Sequence, residues 1–276
     1  MSTPMQVTKA VILARGLGTR MRRADDAVQL SGDQAAAADT GLKAMIPVGD
    51  GRPFVDYVLS ALADAGMTDV CLVIGPEHSA VRRHYGELSR PERVRIHFAV
   101  QAHPLGTANA VLAAEAFIAS DPFLVLNSDN YYPANVLRQL VRQPPPALPA
   151  FEPGPLSEQG NIPPERIAKY ALLEIAPDGR LLRIWEKPDD VTIARLGPAA
   201  AVSMNVWLLD PRILQACRTV GLSPRGEYEL PLAMQKAVAD GVRVQAFPVH
   251  APVLDLSQRA DIGTVRRYLE GLEVRP

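Results

Sequence analysis

Lys9-Ala10-Val11-Ile12-Leu13-Ala14-Arg15-Gly16-Leu17-Gly18-Thr19-Arg20 is the stretch from which the rest of the chain is read. The apolar run Ala10 to Ala14 has the length of a buried parallel strand and soon meets a glycine turn. The loop after it lets backbone N–H groups approach an anion, because Gly16 and Gly18 carry no side chain. Arg20 adds a planar cationic fork for the same anion. Open α/β sheets bind ligands beyond the carboxyl ends of their strands, where this loop emerges. The stretch predicts a phosphate cradle. Two familiar cradles do not fit. A dinucleotide fingerprint needs a third glycine where Met21 stands, and a P-loop needs a lysine that does not follow Gly18.

Bulk properties bound the alternatives. A chain of 276 residues with 47% hydrophobic content and a net charge of −1 is built like an ordinary globular enzyme. No basic patch interleaved with aromatics points to nucleic acid. The apolar runs are too short to span a membrane, and the leading residues lack the apolar core of a signal peptide. Cys71 and Cys217 have neither metal-ligand spacing nor the density of a disulfide framework, so a cytoplasmic protein is expected.

Further along, Arg22 to Thr40 contains four consecutive alanines among aspartates and glutamines, a composition for a short surface helix or a flap. Pro53 suits the first turn of a helix running to Gly66, with Phe54, Val58, Leu59 and Leu62 on one face. Asp69–Ile74, Val94–Val100 and Phe123–Leu126 read as strands alternating with helical stretches, the pattern of a parallel sheet. Pro144 to Pro164 is dense in proline and glycine and predicts a long irregular surface connection. Ile167–Ile175 and Leu181–Trp185 follow as a hairpin about Pro177-Asp178-Gly179. Ala199–Leu209 reads as one buried strand. A last strand at Val253-Leu254 precedes a helix reaching Leu272.

Polar residues at the ends of these elements carry the chemistry. Lys43, before the apolar run Ala44 to Val48 and its proline, is a fixed cation. Gln101 can exchange paired hydrogen bonds with a nucleobase edge, Gly106 permits close approach of a flat ring, and the helix from Thr107 begins with free N–H groups. Asp129, at the tip of Phe123–Leu126, is placed either for a divalent cation or as a turn residue. Glu186 and Lys187 leave a strand together, as site residues or as a solvated edge. Glu227 and Glu229 either contact ligand or complement a helix N-terminus. Asp255 is either a metal ligand or a helix N-cap.

Taken in order, these stretches resemble the sugar-1-phosphate nucleotidylyltransferases, the NDP-sugar pyrophosphorylases. The opening loop is similar to their L-A-G-G-x-G-T-R-L signature, with Arg15 where the family carries its first glycine. Gly41 to Val48 resembles K-x-M-x-P-V, although twenty-three positions separate Arg20 from Lys43, more than the family usually keeps. Gln101 to Val111 follows Q-x-x-P-x-G-T-A-x-A-V. The E-K-P, R-G-E-x-E-L and final-aspartate elements come next, with Asn205 replacing a glycine and Ser257-Gln258 replacing Gly-Thr. The resemblance covers Lys9 to about Leu272. It implies a Rossmann-like, glycosyltransferase-A-like α/β fold with a mainly parallel mixed sheet flanked by helices. No C-terminal β-helix is expected. A single nucleotidyltransferase domain is implied, with a nucleotide half at about 1–143 and a sugar half at about 165–276.

The implied reaction joins an NTP to a sugar 1-phosphate, giving an NDP-sugar and pyrophosphate, with glucose 1-phosphate favoured by the S-M-x-V-W core. The resemblance assigns Leu13, Ala14, Arg15, Gly16, Gly18, Thr19, Gln101, Gly106 and Thr107 to the nucleotide. It assigns Arg20, Lys43 and Lys187 to catalysis, Asn205, Glu186 and Glu227 to the sugar, and Asp129 with Asp255 to Mg2+. Partners are the two substrates, without nucleic acid or membrane. Relatives of this length often form dimers or tetramers, so a homo-oligomer is also expected. Two rival readings remain: a glycosyltransferase using an NDP-sugar, whose usual Asp-x-Asp is here Asn127-Ser128-Asp129, and a non-catalytic sugar-nucleotide-binding homologue.

Overall fold

A computed structural model describes residues 6–23 and 28–276. The leading residues 1–5 and part of the expected flap, 24–27, lie outside them. One ten-stranded sheet runs through the described chain. Its strands are β1 (Lys9–Leu13), β2 (Asp69–Ile74), β3 (Arg95–Val100), β4 (Phe123–Asn127), β5 (Ala147–Phe151), β6 (Ala171–Ile175), β7 (Leu181–Trp185), β8 (Val202–Ser203), β9 (Val206–Leu209) and β10 (Gln245–Val249). The order is β7-β6-β8-β5-β9-β4-β1-β2-β3, with β10 parallel to β5. Strands β4, β1, β2 and β3 are parallel neighbours, while β9 runs antiparallel beside β4. The expected mainly parallel mixed sheet is what forms.

Alternation along each strand divides the core into two layers. Ala10 and Ile12 of β1, Val70 and Leu72 of β2, and Leu124 and Leu126 of β4 face one side. There they meet Val55, Val58 and Leu62 of helix Phe54–Asp64 and Ile262 and Val265 of helix Arg259–Leu269. Val11, Cys71, Val73, Phe123 and Val125 face the other, under helices Thr107–Ala113, Arg212–Thr219 and Leu230–Ala239. Strands buried on both faces explain why these runs read as continuous apolar stretches.

Two expectations need correction. Pro144 to Pro164 is not an irregular surface connection: it supplies the fully buried strand β5 and helix Pro153–Glu158. Proline density argues against an interior strand because proline cannot donate to the ladder, yet Pro149 sits within β5. Between the pairs Leu208↔Ala147 and Val202↔Phe151, the partner chain advances six residues while β5 advances four. The surplus bulges at Met204-Asn205, with Asn205 at φ 59°, and the ladder is broken opposite Pro149. The same bulge divides the single strand expected over Ala199–Leu209 into β8 and β9. The expected last strand forms at Leu254–Asp255, where it pairs with Asn130–Tyr131 in a two-stranded ribbon outside the main sheet. Strand β10 had no separate signal in the sequence, since Pro248 interrupts its pattern.

Candidate active site

A cleft of about 390 Å³ opens at the carboxyl ends of β1 and β4. Every residue expected to hold the nucleotide lines it, together with Arg20, Lys43, Asp129 and Glu227. At one end lies the glycine loop Gly16–Arg20. Gly18 takes φ 61°, and a Cβ there would stand 2.3 Å from the Gly41 carbonyl oxygen, so only glycine fits where the loop meets the end of the inserted segment. That segment forms helix Gly32–Thr40, with Ser31 and Gln34 as a reciprocal capping box. Gln34 Nε2 also donates to the Pro47 carbonyl at 2.9 Å, and Arg259 pairs with Asp39, so the helix is fastened to the body. Lys43 follows in a single helical turn, and its Nζ donates to Asp129 Oδ2 at 2.8 Å across the cleft.

The opposite end holds Gln101, buried to 4% exposure. Its Nε2 donates to the Gly106 carbonyl at 3.0 Å and to Asn109 Oδ1 at 2.9 Å, leaving Oε1 as the uncommitted acceptor of the amide. Gly106, at φ 105°, packs against the Tyr228 backbone, where a Cβ would stand 2.5 Å from its oxygen. Thr107 Oγ1 accepts from the Leu230 N–H at 2.8 Å, so its hydroxyl ties the helix after the R-G-E element to this wall. Arg15 lies alongside: its Nε donates to the Gln101 carbonyl at 2.8 Å and its Nη2 stands 3.2 Å from Glu77 Oε1.

Three expected sugar-phosphate residues are not in the wall of this cleft. Lys187 is exposed, at φ 47° just beyond β7, and Asn205 is half-buried in the bulge between β8 and β9. Glu186 is half-buried among Glu229, Arg225 and Lys187. Burial raises its carboxyl above the usual range and the Glu229 charge adds to this, against Arg225 and Lys187. Arg225 and Glu227 line the cleft between this group and the nucleotide wall. Arg225 donates to Glu229 Oε1 at 2.9 Å, so Glu229 serves the arginine rather than the helix terminus alone.

Asp255 requires a further correction. The ribbon sets it beside Asp129, whose carbonyl accepts from the Leu256 N–H at 2.8 Å, but Asp255 is 2% exposed and absent from the cleft wall. Its Oδ1 accepts from Ser257 Oγ at 2.7 Å, and its Oδ2 accepts from Tyr170 at 2.8 Å and from Arg166. Burial and the Asp129 charge push its carboxyl above the usual range, against Arg166. Arg166 extends to Asp261 Oδ1 at 2.6 Å, so one guanidinium bridges two carboxylates behind the cleft. Asp255 is not a helix N-cap either, for Gln258 holds that position. Among the described residues no group of three or more His, Cys, Asp and Glu side chains is arranged for a metal. Of the two expected carboxylates, Asp255 is taken up here by Ser257, Tyr170 and Arg166, and Asp129 lines the cleft. Asp129 fits, since magnesium is commonly held by one or two carboxylates with substrate phosphate oxygens completing its shell.

Reading by motif missed Arg225, which lines the cleft, and Asn109, Glu77 and Arg166, which hold Gln101, Arg15 and Asp255 from outside its wall. Asn109 and Arg225 stand inside the quoted Gln101 and R-G-E stretches and were legible there as side-chain partners. Glu77 and Arg166 carry no local signal.

A glycine loop after β1, the Gln101–Thr107 wall and a carboxylate at the tip of β4 share one cleft at the carboxyl ends of the strands of an α/β fold. The chain belongs to the nucleotidyl transferase family, whose model matches residues 9–274. It is 29% identical to a glucose-1-phosphate thymidylyltransferase of Streptomyces antibioticus over 97% of this chain and 68% of that protein. A UTP–glucose-1-phosphate uridylyltransferase of Haloferax volcanii is 28% identical over 95% of this chain and 96% of its own. A solved UDP-glucose pyrophosphorylase complexed with UDP-glucose superposes with a TM-score of 0.73 at 18% identity, covering 95% of this chain and 97% of that one. A UTP-bound UGPase from Acinetobacter baumannii gives 0.71 at 19% identity, covering 97% and 95%. These two likenesses show the fold. Among the described residues no helix is long and apolar enough to cross a membrane.

Proposed function

We propose that this chain transfers a nucleotidyl group from an NTP to a sugar 1-phosphate, with glucose 1-phosphate preferred, and releases pyrophosphate. The observation that carries the reading is the single cleft joining the Gly16–Arg20 loop, Lys43 and Asp129 to the Gln101–Thr107 wall. The names of the sequence relatives support the choice of glucose 1-phosphate. The nucleotide half at 1–143 and the sugar half at 165–276 act as one catalytic domain, in a cytoplasmic homo-oligomer.

A phosphate oxygen of the sugar 1-phosphate attacks the α-phosphorus in line. The new P–O bond forms as the bond from the α-phosphorus to the bridging oxygen breaks, and pyrophosphate leaves with that electron pair. The nucleophile arrives ionised, so the chain needs no general base; its task is positioning and charge neutralisation. Arg20 and the N–H groups of the glycine loop hold the triphosphate. Lys43 leaves Asp129 and turns to the attacking phosphate, bringing two anions together. Lys187 meets the sugar phosphate, while Glu186 and Asn205 face the sugar hydroxyls. Asp129 would hold Mg2+, which would supply charge neutralisation at the phosphates.

Pyrophosphate release tests the reading directly. UTP, dTTP, CTP, ATP and GTP are each supplied with common sugar 1-phosphates and magnesium. Sugar-phosphate-dependent pyrophosphate is expected from at least one pair. Free nucleoside diphosphate released from an NDP-sugar would favour a glycosyltransferase, and nucleotide binding without turnover a non-catalytic binding protein.

A further inference from the structure

We propose that Arg15 selects the base: it closes the base end of the cleft against purines and, with Gln101, admits a pyrimidine bearing an N–H beside a carbonyl. The inference rests on the reading of the cleft as a nucleotide site. The resembled signature carries glycine at this position, which leaves the ground under the base empty. Here it holds a nine-tenths buried guanidinium, the Arg15 residue being 9% exposed, in the wall that also carries Gln101 and Gly106.

The guanidinium is anchored through two of its nitrogens, and the third is left without a partner. Nε donates to the Gln101 carbonyl at 2.8 Å, and Nη2 reaches Glu77 Oε1 at 3.2 Å, Glu77 Oε2 at 3.4 Å and the Ala102 carbonyl at 3.4 Å. Nη1 is buried and has no partner among the described residues. A buried unpartnered donor is costly, and a ligand carbonyl that reaches it recovers that cost. Gln101 contributes the complement, because both Nε2 donations are spent on Gly106 and Asn109 and Oε1 is left as an acceptor. A donor from Arg15 beside an acceptor from Gln101 matches the carbonyl and N3–H of a uracil or thymine ring. Guanine offers the same pair on a larger ring, which the Arg15 side chain obstructs. Size and hydrogen bonding therefore exclude different competitors.

The phosphate end of the cleft already has Arg20 and Lys43, and Arg15 is held away from it by Gln101 and Glu77. A phosphate contact would affect all triphosphates alike, whereas a base selector changes their ratio.

The test compares kcat/KM for UTP and GTP, with glucose 1-phosphate held constant, in the wild type, Arg15→Gly and Glu77→Gln. In Arg15→Gly the UTP-to-GTP ratio is expected to fall at least tenfold, chiefly through gained GTP use. Glu77→Gln, which loosens the guanidinium without emptying the space, should move the ratio in the same direction by less. A ratio unchanged within twofold, or an equal loss for both nucleotides, overturns the proposal. Thermal melting of each variant, with Arg15→Lys as a second substitution, separates unfolding from altered selection. If wild type turns over no nucleotide, the transferase reading fails on its own. The same ratio is then read from Kd values for UTP and GTP by calorimetry.

Discussion

Lys43 and Asp129 hold one another at 2.8 Å across the cleft, both partly exposed, so substrate must part them before either meets a phosphate. Partly exposed ion pairs are inexpensive to open. Asp129→Asn should lower pyrophosphate formation by about a hundredfold or more with little change in melting temperature. Near-normal turnover in that variant would remove Asp129 from the mechanism. Lys187→Ala is expected to raise KM for the sugar phosphate about tenfold, as loss of one charge-assisted hydrogen bond does, while KM for the NTP moves less than twofold. An equal rise for both substrates would return Lys187 to the solvated edge. Initial-rate kinetics decide both cases.

At the scale of elements, the inserted helix Gly32–Thr40 is held by its own cap and by contacts to three other parts of the chain. Gln34 serves the capping box and the Pro47 carbonyl at once. Arg22 donates to the Thr40 carbonyl at 2.9 Å, and Arg259 joins Asp39 to the Met21 carbonyl. Gln34→Ala should cost about 1 kcal/mol, the usual worth of a cap or a net hydrogen bond, read from denaturant midpoints. The helix ends at Gly41, which presses on Gly18 of the phosphate loop, so ligand there is coupled to the insertion. NTP is expected to slow protease cleavage within 22–40. Unchanged cleavage at saturating NTP would show the insertion to be independent of the site.

For the molecule as a whole, the two cysteines report on the integrity of the two-sided sheet. Cys71 in β2 and Cys217 in helix Arg212–Thr219 share the same core layer, and burial pushes each thiol up to about 12. The thiolate is the reactive form, so both thiols should resist a thiol reagent at pH 8 in the native protein and react together only on unfolding. Rapid labelling of either under native conditions would mean that this layer opens locally. The sign for stability follows from the same burial. Native thiols keep their protons to higher pH than unfolded ones, so this contribution is intact below about pH 9, the ordinary thiol range, and is lost as pH rises beyond it. Urea midpoints should therefore fall on the alkaline side.

Local sequence determined the nucleotide wall because each part lies on one short stretch: strand, glycine loop, Gln101 turn and the strand tip bearing Asp129. Two-sided burial also makes β1, β2 and β4 legible as apolar runs. Tertiary structure alone decided what no local pattern encodes. Pro149 enters the sheet because a bulge some fifty residues away breaks the ladder opposite it. Asp255 comes beside Asp129 through a two-residue ribbon, yet its carboxylate is spent on Arg166, Tyr170 and Ser257. Arg15 is the sharpest instance: the sequence marks it as foreign to its loop, while only folding brings Gln101 and Glu77 to its guanidinium. Side-chain charge and backbone propensity are local properties, whereas the partner that neutralises a buried charge is chosen by packing across the whole chain.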